Sequence, residues 1–310
     1  MKRILVLGAN GQIGRPLTEG LAAAFPEAEV VAVVRRAPKQ PFPKHITPFQ
    51  FRVFEEDWRI LGQADLLVNA IGQIRESPDC TFEQIHQGLV RLILQHRNQL
   101  GNPRILQLSA LGAHPEQKVA FLRTKGLADA QLLAEERVHI LRPSIVCTPD
   151  TVLVQKFRML ARISQFLGGI LPVPDGFLQT RIQPILIEDL VDLSIAVAQQ
   201  AEAPALIEAV GPEPISMDAL LALIGVEKRF TIRPVRVSRK LLDPLVEGVL
   251  ASWLPHVIST DQYALLFSDN VGEVAETQKW LRRVPGRTWP FWEDAFQAKR
   301  PTDVAKVNRP

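Results

Sequence analysis

A phenylalanine and a lysine four residues apart, Phe121 and Lys125, lie in a stretch whose apolar periodicity predicts a helix. A tyrosine at position 121 would stand one turn from the lysine ammonium, which lowers the pKa of a phenol and fits it for general acid–base catalysis. Phenylalanine keeps the ring but has no titratable oxygen. The single tyrosine of the 310 residues is Tyr263, far along the chain. The pair therefore retains the cation of an acid–base site and lacks its acid.

Other candidates for chemistry are few. Ser109 follows a predicted strand, where its hydroxyl would either orient a carbonyl group or cap a turn, and the sequence leaves both roles open. Tyr263 could replace the missing acid only if the C-terminal part of the chain folds over the site, so packing is the expected role. His86 lies on an amphipathic stretch and is expected to be a hydrogen-bonded packing residue. Cys80 and Cys147 form no CxxC pair and no GxSxG occurs, so neither a metal site nor a serine hydrolase is expected.

Strand-like apolar runs alternate with helical periodicities over the first 150 residues. This alternation predicts an α/β fold with a doubly wound parallel sheet and right-handed crossovers. The predicted strands are Ile4–Leu7, Glu29–Val34, Phe49–Phe54, Leu66–Asn69, Ile105–Leu108 and His139–Leu141. The clearest predicted helices are Phe82–Arg97, with Thr81 and Gln84 as a capping box, and Val119–Glu136. Ligands of such sheets bind beyond the carboxyl ends of the strands.

The composition changes after Pro143, where prolines and glycines bracket shorter elements. We expect residues 1–150 to form the sheet domain, completed by residues 181–211. The completing elements are a strand Arg181–Ile187, a helix Glu188–Gln199 and a strand Ala205–Val210. Residues 151–180 and 212–310 are expected to form a smaller, mainly helical C-terminal lobe that binds a substrate or a partner.

An apolar stripe runs from Leu241 to Leu254 within this lobe. It fits either packing against the lobe's own core or a helix that meets a partner or a membrane surface. Asp243 and Glu247 lie on its polar face, whereas lipid-binding helices carry a basic one. Packing is therefore the favoured interpretation.

A glycine-rich turn, Gly8-Ala9-Asn10-Gly11-Gln12-Ile13-Gly14, separates the first predicted strand from the first helix. Glycines allow a tight turn and a close approach of the backbone to a pyrophosphate, which then sits at the helix N-terminus. The spacing is GxxGxxG, and its place between a strand and a helix makes it specific. The predicted contacts of the dinucleotide are Gly8, Asn10, Gly11, Gln12, Ile13 and Gly14.

The end of the second predicted strand indicates which dinucleotide is bound. An NAD site needs an Asp or Glu there to accept the ribose hydroxyls. This chain instead has Arg35 and Arg36 with no acid nearby, and the planar fork of an arginine suits the 2′-phosphate of NADP. The alternative is that both arginines are solvated surface charges. We predict NADP(H) as the cofactor.

Further residues are predicted to line the same site. Asp57 follows the third strand and could contact the adenine amino group, although Glu55 and Glu56 leave the register open. Small residues after the fourth strand, Ala70, Ile71 and Gly72, would let the backbone pass the cofactor. Pro143 and Ser144 after the sixth strand would lie at the nicotinamide carboxamide, and Lys125 would reach the ribose hydroxyls.

Bulk composition excludes several classes of protein. The hydrophobic fraction of 46% and charged fraction of 22% are those of a globular chain. The net charge is only +3 and no Lys/Arg stripe interleaves with aromatics, so no nucleic-acid partner is expected. The N-terminal apolar run is too short for a secretory signal, and no run of about 18 apolar residues predicts a transmembrane helix. A cytoplasmic location is expected.

Nine segments, taken together, resemble the atypical short-chain dehydrogenase/reductase superfamily. They are Gly8–Gly14, Phe82–Gly88, Leu108–Ala113, Leu122–Gly126, Ile140–Ser144, Gln183–Ile185, Glu188–Leu190, Thr260–Gln262 and Asp269–Val271. Within the superfamily the likeness is to the group related to the 39-kDa accessory subunit of respiratory complex I. The resemblance implies a Rossmann fold of the extended, epimerase/dehydratase-like type and a tightly held NADPH in a protein that can be structural. It also makes peripheral attachment to the inner membrane an option.

The chain departs from this family at two places, Phe121 in place of a frequent tyrosine and the segment 147–150 in place of a Phe-Gly-Pro-Gly turn. Both concern catalysis and not cofactor binding. Two hypotheses follow. The first is an NADP(H)-dependent reductase or isomerase for a small, fairly apolar substrate, in which Lys125 relays the proton, as lysine alone is thought to do in related isoflavone-type reductases. The second is a non-catalytic NADPH-binding scaffold, assembly factor or redox sensor for a protein partner.

Overall fold

The computed structural model describes residues 1–77, 80–148, 151–200, 202–228, 230–244 and 260–297. The chain divides into two compact units. The sheet unit comprises Met1–Pro143, Ile187–Val210 and Gly272–Pro285, and the second unit comprises Ser144–Leu186, Gly211–Val271 and Gly286–Pro310. The domain limits expected from the sequence, 1–150 with 181–211 and 151–180 with 212–310, stay a prediction.

The strands in chain order are β1 (Arg3–Leu7), β2 (Glu29–Val34), β3 (Ile46–Gln50), β4 (Leu66–Asn69), β5 (Arg104–Leu108), β6 (Val138–Pro143), β7 (Val146–Cys147), β8 (Ile170–Pro174), β9 (Arg181–Ile182), β10 (Ile185–Leu186), β11 (Leu206–Ala209), β12 (Ile215–Ser216) and β13 (Arg233–Val237). The α-helices are α1 (Gly14–Ala24), α2 (Leu89–His96), α3 (Ala120–Leu133), α4 (Val152–Phe166), α5 (Ile187–Gln199), α6 (Met217–Lys228), α7 (Arg239–Pro244), α8 (Thr260–Leu265), α9 (Val274–Leu281) and α10 (Trp289–Gln297). Short 3₁₀ turns occupy Trp58–Leu61 and Phe177–Gln179, and a π-helical turn occupies Gln84–Gly88.

A seven-stranded parallel sheet forms the centre of the sheet unit, in the order β11-β6-β5-β4-β1-β2-β3. The inner strands are continuous apolar runs because helices cover both faces of such a sheet, and Ile4, Leu5, Val6 and Leu7 are all fully buried. The chain reverses its direction of winding between β1 and β4, whose ends lie side by side with Leu7 opposite Asn69. This is the position where open α/β sheets form a ligand crevice. The predicted doubly wound sheet is confirmed.

Two strand predictions were wrong. The third strand spans Ile46–Gln50, not Phe49–Phe54, because β3 is the edge of the sheet and an edge strand tolerates a proline such as Pro48. The predicted strand Arg181–Ile187 is broken at Gln183 and Pro184 into β9 and β10. These pair with β12 and β7, so the segment does not belong to the main sheet.

The second unit combines helices with three two-stranded ladders, β7–β10, β9–β12 and β8–β13. Its core is apolar and includes Phe157, Trp292 and Phe296. Of the apolar stripe Leu241–Leu254, the part up to Pro244 belongs to α7, and residues 245–254 lie outside the described residues. Across the described ranges, no helix is long and apolar enough to cross a membrane.

Candidate functional site

The glycine-rich turn is tied to the neighbouring strand by its own backbone. The N–H groups of Gly8 and Ala9 both donate to the carbonyl oxygen of Val33, at 3.1 and 3.3 Å. Gly8 adopts a φ of +77°, a conformation that side chains with a Cβ rarely adopt, and the N–H of Gly11 closes the turn onto the Gly8 carbonyl at 2.9 Å. The turn therefore lies at the carboxyl ends of β1 and β2 and leads directly into α1.

The three glycines of the turn differ in how much space surrounds them. A Cβ added at Gly14 would overlap the carbonyl oxygen of Gly8, whereas one added at Gly11 would stand 3.2 Å from the same oxygen. We expect Gly14→Ala to lower the free energy of unfolding by about 2 kcal/mol or more, because backbone must move to admit the methyl group. Urea unfolding checks this, with Gly11→Ala as the milder control. Equal effects of the two substitutions would contradict the prediction.

The first turn of α1 is open to an anion. Within the described helix α1, no side chain caps the N-terminus and the first turn holds no acidic residue. The partial positive charge of the helix end, together with unpaired N–H groups, favours a phosphate at such a terminus. Asn10, Gln12 and Ile13 lie in the turn that leads to this end, as the sequence predicts.

Two exposed cations directly follow β2 and form no ion pair within the described ranges. Arg35 directly follows β2, Arg36 comes next, and both side chains are exposed. Among the described residues neither guanidinium takes part in an ion pair. No acidic residue occurs between Val30 and Phe54. The edge of the sheet therefore presents two cations where an NAD site would present a carboxylate.

Arg15, which the sequence reading missed, fixes the loop that follows these cations. Its guanidinium donates to the carbonyl oxygens of Gln40 and Pro41 at 2.9 and 2.7 Å, and it lies 4.6 Å from the ring centre of Phe42. Glu19, one turn along α1, forms an ion pair of 3.0 Å with the same guanidinium. The only sequence signal is an arginine immediately after the third glycine, which does not reveal acceptors 25 residues away.

Asp57 lies well beyond β3 and is engaged locally. Its carboxylate caps the 3₁₀ turn Trp58–Leu61 and forms an ion pair of 2.5 Å with Arg59. The side-chain and backbone hydrogen bonds from Arg59 lower the pKa of Asp57 to about 2. The predicted contact of Asp57 with adenine stays a prediction.

The small residues after β4 lie against the glycine turn. The N–H of Ala70 donates to the Leu7 carbonyl at 3.0 Å. Ile71 packs directly on Gly8, where an added Cβ would stand 2.9 Å from the Ile71 side chain. A Cβ added at Gly72 would stand 3.9 Å from the Nζ of Lys125. The segment Ala70–Gly72 thus connects the phosphate end of the site to the lysine.

Lys125 is buried on α3, with 6% of its surface exposed. Its Nζ donates to the carbonyl oxygen of Leu108, at the end of β5, over 3.3 Å. Burial lowers the pKa of Lys125 to about 8, and the negative charge of Asp129 opposes this shift. The ammonium is therefore close to its titration range at neutral pH, which suits a proton-transfer group.

Phe121 belongs to an aromatic cluster with Phe82 and His86, each ring centre 5.6 Å from the other two. The Nζ of Lys125 lies 5.8 Å from the centre of the Phe121 ring. The imidazole Nδ1 and the Thr124 hydroxyl are 2.8 Å apart, so His86 is the hydrogen-bonded packing residue that the sequence predicts. Burial and the charge of Lys125 lower the pKa of His86 to about 2, which keeps it neutral.

A buried polar network missed in the sequence lies one turn beyond Lys125. Asp129, 1% exposed, accepts hydrogen bonds from the Ser109 hydroxyl at 2.8 Å and from Nε of Arg142 at 2.9 Å. Burial raises the pKa of Asp129, while the Ser109 hydroxyl, Arg142 and Lys125 act in the opposite direction. The Ser109 hydroxyl therefore donates to the carboxylate of Asp129 and does not cap a turn. The i, i+4 spacing of Lys125 and Asp129 was the available signal.

Comparison of the sequence with protein-family models and with curated proteins gives no match. Solved structures do match along the whole chain. A nucleoside-diphosphate-sugar epimerase from Staphylococcus aureus has a TM-score of 0.70 and 15% identity, covering 96% of this chain and 100% of that one. UDP-glucuronic acid 4-epimerase from Bacillus cereus, in complex with UDP-glucuronic acid and NAD, has a TM-score of 0.68 and 15% identity, covering 98% and 99%. RMD from Pseudomonas aeruginosa, complexed with NADPH, has a TM-score of 0.62 and 17% identity, covering 99% and 100%.

The chain has a Rossmann-like fold, which it shares with these solved structures. The epimerases among them belong to the epimerase/dehydratase family of extended short-chain dehydrogenases. The narrower grouping with the 39-kDa subunit of complex I stays a prediction. At identities of 15–17% the likeness shows the fold alone.

The two residues predicted to lie at the nicotinamide, Pro143 and Ser144, belong to different units of the chain. Pro143 ends β6, and its carbonyl accepts from the N–H of Leu111 at 2.9 Å. Ser144 begins the second unit, is buried and donates to the Oδ1 of Asn270 at 2.6 Å. The Asp-Asn segment singled out in the sequence thus anchors Ser144.

Tyr263 is a packing residue within the second unit. It is buried, stands edge-on to Phe267 and donates its hydroxyl to Asp243 at 2.7 Å. This is the role that the sequence favours. In the ranges that the structure describes, no three His, Cys, Asp or Glu side chains cluster as a metal site requires.

Proposed function

We propose that this chain binds NADP(H) at the carboxyl edge of its parallel sheet, and that it descends from hydride-transfer enzymes of the short-chain dehydrogenase type. The observation that carries the proposal is the pairing of the glycine turn with Arg35 and Arg36 at the ends of two adjacent strands. The turn suits a pyrophosphate, and unpaired arginines in place of an acid suit a 2′-phosphate. Solved proteins of the same fold are complexed with NAD or NADPH.

The residues at the carboxyl edge of the sheet fit a bound NADP(H). Gly14 lets α1 begin close against the glycine turn, since an added Cβ would overlap the carbonyl oxygen of Gly8, and such a tight turn brings the backbone and the helix N-terminus to a pyrophosphate. The bound nicotinamide would supply the hydride chemistry. Lys125 would hold the ribose hydroxyls and store a proton, because its pKa of about 8 lets it release one near neutral pH. If the protein is an enzyme, it has a weak reductase or isomerase activity that depends on Lys125 and acts on a small, fairly apolar substrate.

A non-catalytic form is favoured by the two positions next to Lys125. Phe121 offers no titratable oxygen and packs in an aromatic cluster. The Ser109 hydroxyl is committed to Asp129 and donates no bond elsewhere. In this form the protein holds NADPH as a scaffold, an assembly factor or a redox sensor for a protein partner, and binding stabilises the fold by mass action without turnover.

Arg35→Ala should weaken NADPH binding by about tenfold or more, since a charge-assisted contact to a phosphate contributes about 1.5–3 kcal/mol. NADH lacks the 2′-phosphate, so its affinity should stay unchanged. Fluorescence titration of the purified protein with each nucleotide measures both. Arg287→Ala, at an exposed arginine of the second unit, is the matched control.

Two outcomes would count against the proposal. Failure of the wild type to bind either nucleotide would mean that the fold keeps the glycine turn without a ligand. Tighter binding of NADH than of NADPH would assign another role to Arg35 and Arg36. Selective NADPH binding that Arg35→Ala removes leaves only the question of turnover.

A further inference from the structure

The loop that joins β2 to β3 in the sheet unit is basic. It spans residues 35–45 and contains no aspartate or glutamate. Its lysines and arginines are all exposed and form no ion pair with a described residue: Arg35, Arg36, Lys39 and Lys44. The loop leaves β2 at the carboxyl edge of the sheet, the edge at which the glycine turn also lies.

A guanidinium at the start of α1 holds the middle of this loop. The Nη1 and Nη2 of Arg15 donate to the carbonyl oxygens of Gln40 and Pro41 at 2.9 and 2.7 Å. Phe42 is buried beneath the same guanidinium, which lies 4.6 Å from its ring centre. Glu19 pairs with the Nε at 3.0 Å, so each nitrogen of the guanidinium has a partner. These contacts form a clamp on the loop and balance the charge of Arg15 inside the protein.

The backbone of Arg15 joins this clamp to the glycine turn. Its N–H donates to the carbonyl oxygen of Gly11 at 3.0 Å. The start of the loop is held separately, because the side-chain amide of Gln50 donates to the carbonyl oxygen of Arg35 at 3.4 Å. A binding loop that is already held in place loses less conformational freedom when its ligand arrives, which raises affinity.

We propose that Arg15 is a positioning residue that fixes the loop 35–45 relative to the glycine turn and thereby sets the preference of the site for NADPH over NADH. The inference rests on the proposed function, in which Arg35 and Arg36 hold the 2′-phosphate. Both arginines begin the clamped loop, so less of their freedom has to be removed when the phosphate binds. Arg15 acts through the loop and does not itself hold the phosphate, because its three nitrogens are already engaged.

The same unit contains a matched control for the clamp. Arg3, at the start of β1, forms an ion pair of 2.9 Å between its Nε and Glu29. Its Nη1 donates to the carbonyl oxygens of Leu61 and Gln63 at 2.5 and 3.0 Å. The side chains of Arg15 and Arg3 are 24% and 27% exposed. Arg3 is thus a clamp of the same construction at the amino ends of the strands, away from the glycine turn.

The first measurement is fluorescence titration of the full-length protein with NADPH and with NADH. Two double variants each remove one clamp without changing the net charge, Arg15→Met with Glu19→Gln and Arg3→Met with Glu29→Gln. The Arg15 variant should bind NADPH about fivefold more weakly or worse, the cost of ordering two flexible side chains during binding. Its NADH affinity should stay unchanged, because NADH has no 2′-phosphate, and this also shows that the variant is folded. The Arg3 variant should bind both nucleotides like the wild type.

The second measurement needs no nucleotide. Trypsin cleaves after lysine and arginine, so the exposed cations of the loop report on its freedom in the protein alone. Cleavage between residues 35 and 44 should become about fivefold faster in the Arg15 variant, since cleavage follows the population of the opened loop. The Arg3 variant should be cleaved there at the wild-type rate.

Three results would overturn the inference: an unchanged NADPH preference in the Arg15 variant, an equal loss of preference in the Arg3 variant, or a lost preference with unchanged cleavage of the loop. The last would mean that the guanidinium of Arg15 acts on the phosphate directly. Failure of the proposed function is read on the wild type instead. A wild type that binds neither nucleotide, or prefers NADH, contradicts that function and this inference together, whereas a wild type that selects NADPH supports the function whatever the Arg15 variant does.

Discussion

Lys125→Met is expected to make the protein more stable at pH 7 by about 3 kcal/mol, because it removes a buried ammonium whose pKa of about 8 lies about two and a half units below that of a free lysine. Burial in an apolar setting disfavours the charged form, and only the Leu108 carbonyl accepts a hydrogen bond from the Nζ among the described residues. Methionine is unbranched and of similar length, so it should fill the same space. Most substitutions in a core destabilise, which makes the sign of this one diagnostic.

The gain should depend on pH in a defined direction. Below pH 8 the lysine is charged in both the folded and the unfolded chain, so the full cost of burying the charge is present. Between about pH 8 and pH 10.4 the unfolded chain still holds the proton and the folded chain has lost it, so wild-type stability rises with pH. The advantage of Lys125→Met should therefore shrink across this window.

Urea unfolding at pH 7 and at pH 10 measures the effect, with Lys279→Met as the control at an exposed lysine of α9. The control should show neither the gain nor its pH dependence. A lower stability of Lys125→Met at pH 7, with an unchanged pH slope, would contradict the prediction and show that the ammonium is well solvated. NADPH titration of the same variant then tests its role, because loss of affinity in a more stable protein cannot be attributed to unfolding.

The sheet was predictable because its signals are local. β2 and β4 were predicted to the residue, and Thr81 and Gln84 exchange the two hydrogen bonds of the predicted capping box, at 3.0 and 3.2 Å. A buried parallel strand is a continuous apolar run, and a capping box is a fixed spacing. The helix that follows holds a π-helical turn around His86, which no periodicity indicates.

The site was predictable only in part, because much of it depends on residues that meet through the fold. Asp129 lies on α3, Arg142 on β6 and Ser109 directly after β5, so the three form one network only when those elements pack. Asp129 alone looks like an ordinary acidic residue of a helix. That Arg15 holds the loop after β2 is visible only once its acceptors, the carbonyl oxygens of Gln40 and Pro41, are known.

Phe121→Tyr should create or raise NADPH-dependent reduction of simple carbonyl compounds by a factor of about 10²–10⁴, the usual contribution of a general acid. The required cation is already present, since the Nζ of Lys125 lies 5.8 Å from the centre of the ring to which the hydroxyl would be added. Phe121 is only partly buried, so the new oxygen does not have to be left without a partner in the core. The folding cost should be small.

The double variant Phe121→Tyr with Lys125→Met is the control, because it has the phenol without the ammonium that lowers its pKa. Turnover should appear in the single variant and fall back in the double. If the wild type has no activity and Phe121→Tyr gains it, the native protein is an NADPH-binding scaffold whose acid has been removed. If the wild type already reduces a carbonyl and Lys125→Ala abolishes that activity, the scaffold hypothesis fails and Lys125 itself is the proton-transfer group. Absence of turnover in every variant, with NADPH bound, would show that the aromatic cluster around Phe121 keeps substrates out.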